Sequence, residues 1–137
     1  MKKLKNCVYT LLQCTWGLPQ TLLGLALFLY YRKAAHMRFH GAVMTAWPRT
    51  DAVSLGLFTF VPDEKRVPSE KERAALAAHE FGHTLQSLML GPMYLLIIGA
   101  VSFIWARHPR FRRLRREKGV PYSHCYTEKW ADRLGGI

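Results

Sequence analysis

No charged side chain occurs between Val8 and Tyr31, and none between Thr84 and Ala106. Two such runs in a chain of 137 residues leave little freedom. Wound as helices, each is long enough to reach across a hydrocarbon core of roughly 30 Å. The remainder is strongly basic, giving a formal net charge of +11. Basic residues that flank apolar runs are placed to meet anionic lipid headgroups. A nucleic-acid module interleaves basic residues with exposed aromatics on a folded surface, and no such pattern is present. Membrane lipids are therefore expected as partners, and nucleic acid is not.

The length suits one domain, residues 1–137. MKKLKN followed by apolar sequence has the outline of a secretory signal. The run is long for that role, however, and no A-x-A-like cleavage site follows it. Residues 8–31 are expected to remain as an apolar membrane anchor, kinked or folded back at Gly17 and Pro19. Lys2, Lys3 and Lys5 precede it while Arg32, Lys33 and Arg38 follow it, so charge does not orient it. Cys7, Cys14 and Cys125 contain no CxxC pair and match neither a zinc ribbon nor a disulfide framework.

Between the apolar runs, GAVMTAW (41–47) and AVSLGLFTFV (52–61) are rich in β-branched and aromatic residues and flank a turn-like PRTD. Residues 41–61 are thus expected to form a β-hairpin. Ser69 opens S-E-K-E, a capping box in which Glu72 reaches back, and starts a helix that continues until Gly91–Pro92 breaks it. A second, wholly apolar helix is expected over Met93–Ala106, so residues 69–106 make a helix and an apolar hairpin. Residues 107–118 are a basic segment, and residues 121–134 hold a short helix ending at Gly135–Gly136.

The chemistry lies in HEFGH, residues 79–83. On a helix His79 and His83 stand one turn apart on one face, so two imidazoles can converge on one ion. Glu80 is rotated about 100° from His79, beside the ligands, where a general base belongs. Zinc suits the set, because it takes imidazole nitrogen and carboxylate oxygen and can keep one position open for water. Gly82 costs a helix about 1 kcal/mol against alanine, and its missing side chain lets another element approach closely. HExxH alone is a weak signal, since a histidine pair on a helix is commonly packing. Glu128 and Asp132, four residues apart on the last helix, change the balance. Glu128 can complete the ligand set, and Asp132 can accept the N–H of a ligating histidine.

On these residues the chain resembles the gluzincin branch of HExxH zinc metallopeptidases. There HExxH supplies two ligands and the base, and a glutamate in an E-x-x-x-D pattern on a later helix supplies the third ligand. The resemblance implies His79, His83 and Glu128 as zinc ligands, Glu80 as general base, and Asp132 as the orienting carboxylate. The order of hairpin, HExxH helix, apolar stretch and TEKWAD, over about residues 15 to 137, is also similar to small bacterial membrane proteins classed with metallopeptidases. The implied architecture is an α+β, mainly helical, membrane-attached minimal zincin-like unit. The implied function is a membrane-associated zinc metallopeptidase, hydrolysing peptide bonds of a peptide or protein substrate by a metal-activated water. No single position matches the family's transition-state-stabilising Tyr or His, and Tyr122, His124 and Tyr126 are the candidates.

A shared ion has a topological cost. If residues 84–106 crossed a bilayer once, His83 and Glu128 would lie on opposite faces. Met93–Ala106 is only about 21 Å long as a helix, short of the hydrocarbon thickness, so a re-entrant or surface-lying hairpin is expected. The basic run then lies on headgroups, and the polybasic bias puts the site on the cytoplasmic face, in a bacterial inner membrane by the resemblance. Two rivals remain. One is a non-catalytic membrane scaffold with a structural zinc, closed by His124 or Cys125 as fourth ligand. The other is a basic membrane-surface protein with no metal.

Overall fold

Gly17 and Pro19 divide the first uncharged run into two helices, α1 (Lys2–Thr15) and α2 (Leu18–Tyr30), bent by 98°. Pro19 sits in the first turn of α2, where its missing N–H is no loss. These coordinates are a computed structural model describing residues 1–136. The chain continues through β1 (Ala35–Phe39), β2 (Ala42–Trp47), β3 (Val53–Leu55) and β4 (Phe58–Pro62). Then come α3 (Glu70–Leu90), α4 (Ala100–Arg107), α5 (Pro109–Lys118) and α6 (Tyr126–Gly135). The fold is α+β, mainly helical, with one four-stranded sheet.

The expected hairpin over residues 41–61 is corrected. Sheet order is β1-β2-β4-β3, and β2 runs parallel to β4, with Val43 opposite Phe58 and Trp47 opposite Pro62. The reason lies inside AVSLGLFTFV. Gly56 adopts φ +63, a conformation that suits glycine, and the run doubles back there as the β3–β4 hairpin. The other hairpin joins β1 to β2 through His40–Gly41, both with positive φ, and uses AHMRF, which the pattern left out. β1 is almost entirely exposed, so it lacks the apolar alternation that marks a half-buried strand. Phe58, Phe60 and Trp47 form the buried side of the sheet together with Ala42, Leu57 and Tyr9.

Ser69 caps α3 by accepting a hydrogen bond from the Glu72 amide (3.3 Å). Gly91, at φ +56, ends it. The chain beyond does not rise as a regular helix. It passes through a 3₁₀ turn at Gly91–Met93 and a π-helical turn at Leu95–Gly99 before α4 begins, and is bent by 119° against α3. The second uncharged run is thus sharply bent near Gly91–Tyr94. No single helix among the described residues is long and apolar enough to cross a membrane. The basic segment forms α5. Arg115 lies over the rings of Trp105 and Tyr122 and donates to the main-chain oxygens at the end of α4, fixing α5 there.

The helices α1 and α2 pack with their polar side chains inward. Gln13 and Gln20 are fully buried, while Leu11, Trp16, Leu22, Leu23 and Leu29 are exposed. Gln13 Nε2 donates to the Thr84 carbonyl (3.0 Å), and Ser87 Oγ donates to Gln13 Oε1 (2.9 Å). Gln20 Nε2 donates to Ser87 Oγ (2.7 Å) and to the Gly91 carbonyl (2.9 Å). Thr21 Oγ1 donates to the Gln13 carbonyl and accepts from the Leu57 amide, tying α2 to the β3–β4 turn. Residues 8–31 are therefore tied into the fold by buried polar groups as well as by packing.

Candidate metal centre

Two helices make the centre, and two glycines set their distance. A Cβ on Gly82 of α3 would collide with the main chain at Ala131 of α6, and one on Gly135 of α6 would collide with the main chain at Ala78 of α3. The close approach anticipated for Gly82 is thus present, and it is reciprocal. Glu128 and Asp132, one turn apart on α6, are carried by this crossing onto the face of α3 that bears His79 and His83.

The two imidazoles point at one atom. His79 Nε2 lies 2.9 Å from Glu128 Oε2, and His83 Nε2 lies 3.1 Å from the same oxygen. Their other ring nitrogens face fixed acceptors. His79 Nδ1 is 2.6 Å from Asp132 Oδ1, and His83 Nδ1 is 2.7 Å from Gln86 Oε1. The Gln86 amide is oriented because its Nε2 donates to the Thr127 carbonyl (2.9 Å), next to Glu128. A neutral imidazole carries one N–H and one lone pair. With both Nδ1–H groups donating outward, both Nε2 lone pairs face the carboxylate. Glu128 Oε1 is buried and has no hydrogen-bond partner. Two imidazole lone pairs aimed at one carboxylate oxygen, plus an orphaned second oxygen, are a set that a cation satisfies and that neutral side chains alone do not. The residues present fit a metal ion.

Glu80 completes the centre. A carboxylate oxygen of Glu80 and one ring nitrogen of each histidine all lie within 4.8 Å of one another, the single group of this kind among the described residues. Ser54 Oγ of β3 is 2.7 Å from Glu80 Oε2 and 2.7 Å from the Glu80 carbonyl. A hydroxyl has one proton and two lone pairs, so Ser54 donates to ionised Glu80, or accepts from its acid form while donating to the carbonyl. It can follow the proton on Glu80 without moving. Tyr94 braces this strand by donating its hydroxyl to the Ser54 carbonyl (3.1 Å).

Proton affinities follow from burial and charge. Burial pushes the Glu80 carboxyl up, against the pull of His83, His79 and the Ser54 hydroxyl. For His79 burial works to lower the pKa, but the Glu128 hydrogen bond, the Glu80 charge and Asp132 outweigh it and raise it to about 9. His83 is raised for similar reasons, burial being overcome by Glu128 and Glu80. Burial would raise Glu128, yet its bonds to His79 and His83 hold it well below the usual carboxylate range.

The structure brings together all five residues expected from the sequence: His79, Glu80, His83, Glu128 and Asp132. It adds Ser54 and Gln86. Gln86, one turn beyond His83 in an otherwise apolar stretch, carried a local signal; Ser54, far away in sequence on a short strand, carried none. Of the remaining candidates, Tyr126 donates its hydroxyl to the Ile97 carbonyl (3.3 Å), and the His124 ring packs near that of Trp105. The Tyr122 hydroxyl is raised by burial and then by the charges of Glu128 and Glu80. Cys125 Sγ is hydrogen-bonded to Thr127 Oγ1 (3.2 Å). No family model, no curated protein and no solved structure matches this chain.

Proposed function

We propose that the chain is a zinc-dependent hydrolase of peptide bonds, a metallopeptidase in which His79, His83 and Glu128 hold the ion and Glu80 is the general base. The observation that carries this reading is the convergence of both Nε2 atoms on Glu128 Oε2 while both Nδ1 atoms are committed to Asp132 and Gln86. Zinc held there supplies Lewis acidity, which makes water acidic near neutral pH and polarises a carbonyl. The chain's own residues do the rest. Asp132 and Gln86 fix the tautomer and tilt of the two imidazoles. Glu80, anchored on Ser54 Oγ, takes a proton from the attacking water and returns it to the leaving amine. The resemblance of HEFGH and E-x-x-x-D to gluzincins supports a peptide substrate, and the Cys125 thiol is engaged by Thr127 Oγ1.

The site is deeply enclosed, with Glu128 1 %, Glu80 5 % and His83 6 % exposed. That burial favours a second reading, in which the ion clamps α3 to α6 without turnover. One set of measurements separates the two. Full-length protein in mild detergent should contain about one zinc per chain, and the double variant His79→Ala, His83→Ala should lose it. Glu80→Gln should keep zinc while hydrolysis of a quenched peptide library drops roughly 10²–10⁴-fold. Zinc retained by the double histidine variant removes the metal site altogether. Zinc without hydrolysis in the parent protein selects the structural clamp, and full hydrolysis in Glu80→Gln removes Glu80 as the base.

A further inference from the structure

The two bent helix pairs meet at their bends. The first elbow turns at Trp16–Gly17 between α1 and α2, and the second at Gly91–Tyr94 between α3 and the π turn. A side chain on Gly91 would strike the Trp16 indole, and Gln20 Nε2 donates to the Gly91 carbonyl at 2.9 Å. Around this junction the outward residues are apolar: Trp16 is 51 % exposed, Leu18 41 %, Met89 60 % and Met93 48 %. The inward residues are Gln13, Gln20, Thr84 and Ser87, buried and hydrogen-bonded to one another or to the main chain. The charges lie at the far ends of the arms. Lys2, Lys3 and Lys5 begin α1, Arg32 and Lys33 follow α2, and Arg107 with α5 follows α4.

We propose that the two elbows form one wedge that enters a single leaflet of an anionic bilayer apex first, its basic arm ends lying among the headgroups. Apolar side chains outside and polar groups inside, all hydrogen-bonded except Gln20 Oε1, are the arrangement that hydrocarbon favours and water disfavours. The arms of the first elbow are short: α1 has 14 residues and α2 has 13, about 20 Å each, against a hydrocarbon thickness of roughly 30 Å. A wedge with bent arms of this size reaches into one leaflet and returns. The charge pattern selects lipid over a second copy of the chain, since another copy brings the same cations to the same rim, where they repel. The apex of the wedge is separate from the metal reading, as Trp16, Leu18, Met89 and Met93 are not among the proposed ligands.

Full-length protein is mixed with phosphatidylcholine vesicles, with or without a minority of phosphatidylglycerol, and floated through a density gradient. Flotation should require phosphatidylglycerol and weaken as salt rises. Replacing Lys2, Lys3 and Lys5 by Gln should lower binding on the order of 10²-fold at low salt. Single cysteines are then introduced as Lys3→Cys, Lys33→Cys or Leu18→Cys, in a background lacking Cys7, Cys14 and Cys125, with unfolding midpoints confirming the fold. An impermeant thiol reagent outside the vesicles should label positions 3 and 33 and leave position 18 protected. Labelling of 3 and 33 from opposite sides would mean a crossing and overturn the proposal. So would a protein that stays off anionic vesicles and buries its apolar face in a dimer.

Discussion

The sheet and the N-terminal elbow are built by opposite rules. In the sheet, Phe60 and Ala42 are fully buried and Trp47, Phe58 and Val61 nearly so, as a core in water requires. In the elbow it is Gln13 and Gln20 that are fully buried, and a row of leucines that is exposed. Both regions are fixed in place, but different forces hold them. The sheet is held by apolar burial. The elbow is held by a small number of directed hydrogen bonds to Thr84, Ser87 and Gly91, aided by close packing at glycines. Low mean hydrophobic burial is therefore no sign of loose attachment in this chain.

Three substitutions grade that contrast. The largest effect is expected from Phe60→Ala, which empties the fully buried centre of the sheet and should cost about 3–5 kcal/mol, read as a lower denaturation midpoint. A cost below about 1 kcal/mol would mean that the sheet is not the apolar anchor described. Gln20→Leu comes next. It keeps the approximate volume but strips Ser87 Oγ and the Gly91 carbonyl of their donor, for about 1–3 kcal/mol. If Leu at position 20 stabilised the protein in detergent, the elbow would obey the same rule as the sheet. Leu22→Gln should have the smallest effect, within about 0.5 kcal/mol, because the side chain is 54 % exposed. A large loss of stability from this change would show that Leu22 is covered by protein.

Local features were readable in the sequence wherever residues close in the chain carry the information. His79 and His83, Glu128 and Asp132, the Ser69 cap and the Gly91–Pro92 break all fall within a turn or two; the structure brings the four polar side chains together, caps α3 with the Ser69 hydroxyl and ends it at Gly91. The sheet was misread because pairing depends on a residue's conformation: Gly56 at positive φ folds one apparent strand into two and makes β2 and β4 parallel. The glutamines gave no warning, because an uncharged run reads as apolar whether its polar residues face in or out. Ser54 reaches Glu80 from β3, whose turn into β4 is packed against Thr21 and Gly24 of α2. No spacing rule covers a contact relayed through three elements.

The centre is also ordered in time. Its histidines come from α3, but Glu128 lies 45 residues after His83 and arrives with α6. At synthesis rates of about 5–20 residues per second, several seconds separate the emergence of the two halves. During that interval HEFGH offers only a two-histidine pair with a nearby carboxylate. Glu128 joins them when Gly82 and Gly135 let α6 close against α3, so only chains long enough to present α6 carry the complete cluster. Assembly of the cluster is thereby a late event, and the crossing of two glycines is its checkpoint.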